Sequence, residues 1–216
     1  KVVIEEKKQR YDNKPYGSVL IETMKRAYEK HPYRWTPIGD EEHIRSAKDK
    51  DFREFYETFY VPENAVLTIA GDINKEETKK LIGKYFATIP AGSREIYRPE
   101  AEEPIKNGEI RDTVYDDIQL PAVIQAYHIP PKGTPDYYAV DMLSTLLSEG
   151  ESSRLYKTLV DEQQIAVHVQ AIPLGLEDPG LALTFALPNA GNDPGDLEEA
   201  MDQEINRVKN ELISDR

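Results

Sequence analysis

Apolar residues at helical and strand spacing divide the chain into two halves of different character. In the first half the pattern is mostly helical. An opening helix over residues 1–10 puts Val2, Val3 and Glu6 on one inward face. Glu5 points about 100° away from Glu6 along that helix, toward solvent. Asn13-Lys14-Pro15-Tyr16-Gly17 reads as a turn. Ser18 caps a second helix that runs to about Lys30, and short helices follow near 40–47 and 49–59. Val66-Leu67-Thr68-Ile69-Ala70 reads as a compact strand closed by Gly71-Asp72. Asn74, with Glu77 at the third helical position, opens a helix whose inward face is Leu81, Ile82, Tyr85 and Phe86.

The second half has more strand. Arg111–Tyr115 and Val123–Ile129 read as neighbouring strands. Thr134-Pro135 opens a helix with Ala139, Met142, Leu143, Leu146 and Leu147 inward. Ser152 or Ser153 caps another helix that reaches about Gln163. Ile165–Ile172 and Leu181–Leu187 read as a strand pair. The last helix aligns Leu197, Met201, Ile205, Val208 and Leu212 in one stripe. A polar, proline-containing stretch separates the halves, which predicts units at 1–92 and 108–216 joined by a linker over 93–107. The pattern as a whole predicts an α+β fold, with mixed or antiparallel sheets covered by helices on one face.

Composition narrows the function. A chain of 216 residues is long enough for a real core. Its net charge of −13, from 27 basic and 40 acidic residues, argues against nucleic acid and against anionic membranes as partners. No apolar run approaches membrane-spanning length. No targeting segment is visible, and the chain opens on Lys1 in helix-forming sequence, which leaves room for one upstream. The absence of cysteine excludes disulfides, thiolate metal ligands and a cysteine nucleophile.

Candidate chemistry is sparse. Glu6 on an apolar helix face needs a partner, because an unpaired carboxylate is costly to bury. Two accounts are open on the residues alone: a surface pair with Arg10 at i,i+4, or a metal ligand. Ser152, Ser153 and Thr134 sit at helix starts without a neighbouring histidine, so they read as caps and not as nucleophiles. Gly71-Asp72-Ile73-Asn74 lacks the pattern of a phosphate loop. Asp40-Glu41-Glu42 reads as a solvated helix start, not a calcium site.

Several motifs fall in a telling order. They are Val2-Val3-Ile4-Glu5-Glu6, then His31-Pro32-Tyr33-Arg34-Trp35-Thr36-Pro37-Ile38-Gly39. Phe52, Phe55, Tyr56 and Phe59-Tyr60-Val61-Pro62-Glu63-Asn64 follow, with Ala65 to Gly71-Asp72 after them. The second half adds Leu146-Leu147, Gly150 and Ser152-Ser153-Arg154-Leu155-Tyr156. Together these resemble the pitrilysin/insulinase family of zinc peptidases. The resemblance implies the fold of the mitochondrial-processing-peptidase-like metallohydrolases. It also implies zinc held by two histidines of an inverted H-x-x-E-H motif and by a glutamate on a later helix, with the motif's own Glu as general base. Glu6 is the residue that matches the later glutamate.

The chain departs from the family pattern in two places. No H-x-x-E-H occurs, and His31, His43, His128 and His168 lack the needed spacing and read as structural. The resemblance therefore implies a piece of a longer protein. Residues 1–92 would be the end of the zinc-bearing domain and 108–216 a second, non-catalytic domain. Some relatives carry an Arg and a Tyr seven positions apart that help hold substrate. Val160 and Val167 stand at the matching positions, and neither side chain can donate a hydrogen bond. The expected function is part of a zinc-dependent endopeptidase acting on peptides or unfolded polypeptides. The piece is expected to be inactive alone, and a second peptidase-like half or subunit is expected to supply the clamp. The alternative is a non-catalytic scaffold or substrate-binding subunit of the same fold. A bacterial setting is expected, with the compartment open between periplasm and cytoplasm and the periplasm favoured.

Overall fold

The computed structural model describes residues 1–99 and 102–212. Residues 100 and 101 of the expected linker lie outside the described residues. In the first half, helix α1 (Val2–Lys7) runs into a π-helical turn over Lys8–Asp12. Helix α2 (Val19–Ala27) is followed by a 3-10 turn at Pro32–Arg34. Then come α3 (Glu41–Ser46), α4 (Asp49–Phe59), a 3-10 turn at Pro62–Asn64 and α5 (Lys75–Phe86). Asn74 caps α5 as its position predicts: its side-chain oxygen accepts from the Glu76 and Glu77 amides.

The second half carries a three-stranded antiparallel sheet in the order β1-β3-β2. Its strands are β1 (Val123–Ile129), β2 (Ala166–Leu174) and β3 (Gly180–Pro188). Between β1 and β2 lie α6 (Pro135–Ser148) and a π-helix over Tyr156–Glu162, and α7 (Pro194–Asn210) closes the chain. One face of the sheet meets the helices, as expected. Leu147, Leu155, Leu159, Leu197 and Met201 from α6, the π-helical segment and α7 pack there on Val169 and Ala186. The side-chain period of two puts Leu181, Leu183 and Phe185 on the opposite face. That face receives the first half, where Met24 and Tyr28 pack on Leu181 beside Leu174 and Leu183.

Several expectations change. Residues 66–70 and 111–115 are not paired strands; neither forms a ladder. For 66–70 no other strand stands beside it among the described residues. Residues 111 and 112 nonetheless send their side chains to different helices. Arg111 reaches Glu198 of α7 and Asp112 reaches Arg26 of α2, so successive side chains contact helices on opposite sides of the sheet. The buried stripe of α6 is rotated from the one expected: Tyr137, Ser144 and Leu147 are buried and Met142 is 75% exposed. Two serines explain the rotation. Ser144 turns its hydroxyl to the Val140 carbonyl inside the helix, and Ser148 accepts from the Ala171 amide at 2.7 Å. Ser153 is buried and donates to the Gly150 carbonyl, so it ties a turn rather than capping a helix amide. Leu212 lies past the end of α7 and is exposed.

Candidate functional site

α1 is short and amphipathic, and its buried residue is Ile4. Val2 is 81% exposed and Val3 is exposed as well, which corrects the expectation that they face inward. The described chain covers α1 only on the Ile4 side. Glu6 still differs from Glu5 in the expected sense. The Glu6 side chain is 43% exposed and lies 3.2 Å from Arg10, while the Glu5 side chain is 65% exposed beside Lys8. The Glu6 carboxylate is therefore accessible and held by a single surface pair, an arrangement worth a few tenths of a kcal/mol, on the order of 0.3–0.5.

A catalytic zinc takes three protein ligands and one open position. Among the described residues no group of three or more His, Asp or Glu side chains is placed to hold a metal ion. Glu6 by itself can supply one such ligand. The four histidines are spread over the molecule. His31 Nδ1 accepts from the Tyr33 amide, so Nε2 carries the hydrogen and donates to Asp178 at 3.2 Å. His128 lies against the Tyr28 ring at 5.0 Å, and burial pushes its pKa below the usual imidazole value. His43 is exposed on α3. His168 lies near Phe185 on the face of the sheet away from the α6–α7 core. Val160 packs on the core between sheet and helices. Val167 is exposed at a bulge in β2, where the register shifts between Ala166 and His168.

The most built polar arrangement in the molecule joins the two halves, and sequence reasoning missed it. Glu103, in the expected linker, accepts from three consecutive amides, those of Glu29, Lys30 and His31, at 2.6, 2.9 and 2.9 Å. Burial pushes its carboxyl pKa up, but these donors outweigh burial and hold it below the ordinary 4.5. Tyr28 is fully buried and donates to the Pro179 carbonyl at 2.8 Å. The Asp178 amide donates to the Tyr33 hydroxyl. The available signal was the dense run His31-Pro32-Tyr33, whose polar and aromatic groups need buried partners. The linker is also clasped at its start, where Arg94 reaches Glu57 and Arg98 reaches Asn64. A polar cleft of about 380 Å³ beside the edge of β2 is lined by residues that include Asp141, Ser144, Ser148 and Gln170. It contains no histidine and offers no activated nucleophile.

Comparison with known proteins places this geometry. The family model described as "Peptidase M16 inactive domain" matches residues 46–216. The zinc protease PqqE of Helicobacter pylori is 34% identical over 206 residues, covering 94% of this chain and 46% of that protein. The crystal structure of a protease from Helicobacter pylori superposes with a TM-score of 0.90 at 31% identity, over 99% of this chain and 52% of that one. A peptidase M16 inactive domain from Pseudomonas fluorescens shares the fold, with a TM-score of 0.73 at 21% identity over 98% of this chain and 52% of that one. The chain spans about half the length of the curated relatives it matches. The motifs and the fold thus agree with a match over most of the sequence, and the chain belongs to the M16 peptidases, the pitrilysin-like family, with residues 46–216 matching its inactive domain.

Proposed function

We propose that this chain is part of a zinc-dependent endopeptidase for peptides or unfolded polypeptides, and that it supplies Glu6 as one zinc ligand. In this reading residues 1–92 complete the zinc-bearing domain, 93–107 connect, and 108–216 form a structural domain without catalytic residues. The observation that carries the reading is Glu6 itself. It stands in the Val2-Val3-x-x-Glu6 helix with an accessible carboxylate bound only by Arg10, in a chain 34% identical to a protein named a zinc protease. In this reading the remaining zinc ligands and the general base come from an H-x-x-E-H motif elsewhere in the complete protein. Zinc, when bound in the complete protein, would supply the Lewis acid and the activated water. Val160 and Val167 offer no hydrogen-bond donor to a substrate, so the clamp falls to a second peptidase-like half or subunit.

The test is made in the complete protein. Glu6→Gln is expected to lower bound zinc and turnover by about 100-fold or more, and Glu5→Gln to leave both near wild type. Metal analysis and a peptide-cleavage assay read the two effects separately. Equal losses from both substitutions would overturn the assignment.

A second reading has its own support. The matching domain is described as inactive, and a scaffold or substrate-binding subunit fits that description. An H-x-x-E-H motif elsewhere in the polypeptide marks an enzyme, and its absence marks a scaffold.

A further inference from the structure

Asn107-Gly108 is the one place in the sequence where an asparagine precedes a glycine. Both residues are exposed, in a segment without helix or strand. Among the described residues the Gly108 amide donates no backbone hydrogen bond, and the Asn107 side chain makes none. Asn64, Asn74, Asn189, Asn192 and Asn210 differ, because the side chain of each is tied to the backbone. The space around Gly108 is open: a Cβ built there would meet nothing within 4 Å. The pair lies between two fixed points. Glu103 is held on the amides of Glu29, Lys30 and His31, and Arg111 is held on Glu198. Lys106, the residue before Asn107, lies 3.8 Å from Glu103.

We propose that Asn107 is a site of spontaneous deamidation, and that the modified residue loosens the joint between the halves. Asparagine is thermolabile where its own backbone can reach its side chain. The Gly108 nitrogen attacks the Asn107 side-chain carbonyl carbon and forms a C–N bond, which closes a succinimide ring. The bond from that carbon to Nδ2 breaks, and ammonia leaves with the proton from the Gly108 amide. Water then opens the ring at either carbonyl, which gives aspartate or isoaspartate. Glycine favours the attack because no Cβ crowds the nitrogen and the backbone turns freely. Both products place a carboxylate beside Lys106, where it competes with Glu103 for the ammonium. Isoaspartate also adds a methylene to the main chain, which displaces the span against its two fixed ends.

The test ages the complete gene product at mildly alkaline pH in EDTA and maps it by peptide mass spectrometry, with isoaspartate read by enzymatic methylation. Conversion at Asn107 is expected within about 10-fold of the rate in a synthetic peptide of residues 104–111, because nothing in the fold protects the Gly108 amide. It should outrun conversion at Asn64 and Asn189, whose side chains are tied. A rate at Asn107 slower than that margin, or no faster than at Asn64 and Asn189, overturns the site. Asn107→Gln should stay unconverted, since its longer side chain would have to close a larger ring. Limited proteolysis reads the consequence. Aged wild type should be cut within 93–107 about 3-fold faster than fresh protein, and aged Asn107→Gln at the fresh rate. Converted protein cut no faster than fresh overturns the effect on the joint, and so does equal acceleration in the variant. None of these readouts involves zinc or Glu6, so the two proposals stand or fall separately.

Discussion

Glu103 carries more of the joint between the halves than its polar setting signals. Among the described residues its carboxylate is the sole acceptor for three consecutive amides at the turn after α2. Hydrogen bonds to a charged acceptor contribute about 1.5–3 kcal/mol each when buried, and one partner lost leaves donors unmatched. Glu103→Gln keeps an acceptor oxygen but loses the charge, so a destabilisation of about 1–2 kcal/mol at pH 7 is expected. The folded-state pKa is depressed, so this stability is present above the ordinary 4.5 and is lost as pH falls through the lower folded value. Urea titrations of both proteins should therefore show a gap at pH 7 that narrows below pH 4.5. A gap independent of pH would rule out the charge as its cause. Gln164 poses the opposite case. It sits at φ 56°, in left-handed geometry, after the π-helix. That conformation costs a side-chain-bearing residue about 1 kcal/mol, so Gln164→Gly should stabilise by about 0.5 kcal/mol after the added freedom of glycine in the unfolded chain is subtracted. A lowered melting midpoint would show that the Gln164 side chain has a stabilising contact.

The β2–β3 hairpin sets the register of the sheet. It pairs Leu174 with Leu181 and Val169 with Ala186, which sends the two sets of apolar residues to opposite faces. Gly180 opens β3 where a side chain has no room, because an added Cβ would collide with the Leu174 carbonyl oxygen. That oxygen belongs to the backbone and cannot swing away. Gly180→Ala is expected to cost about 2–4 kcal/mol by forcing the strands apart, read as a drop in the denaturation midpoint. A loss under 0.5 kcal/mol would mean that the hairpin end relaxes freely. The other edge device is Ser148, which both accepts from the Ala171 amide and donates to its carbonyl, with Pro173 two residues on. Together they blunt the outer edge of β2 against further pairing.

At the scale of the molecule, Tyr28 is the anchor that holds first half to second. Its ring meets Tyr33 at 5.7 Å and His128 at 5.0 Å, and its hydroxyl ends on Pro179. Burial is the chief reason its phenol pKa is raised well above the ordinary 10.0. Tyr28→Ala removes a fully buried aromatic side chain and is expected to cost about 3–5 kcal/mol. The cost should fall on the joint, so limited proteolysis within 93–107 should accelerate while β1–β3 stay protected. Unchanged cleavage there would show that other contacts suffice. One ion pair adds a smaller tie across the same joint, Arg26 with Asp112, and its exposure to solvent keeps it weak.

Local chemistry determined much of this in the sequence alone. Asn74 and Thr134 cap the helices they precede because a side-chain oxygen satisfies an amide two or three residues on. Val123–Ile129 is a strand as the alternation predicts, and α7 buries Leu197 and Met201 from its stripe. The motif order identified the family because each motif is a local requirement repeated along one chain. Tertiary structure decided what local pattern cannot carry. Helical period shows that α6 has an apolar face, but Ser144 and Ser148 settled which residues meet the sheet, through bonds to Val140 and Ala171. Strand propensity at 66–70 and 111–115 is a local preference, yet a ladder needs a neighbour's amides and carbonyls, and these come from elsewhere in space. The Glu103 joint was invisible for the same reason: its carboxylate and the amides it accepts from are more than 70 residues apart in sequence. Spacing along one chain shows what a residue can do, and only the fold shows which distant group is there to meet it.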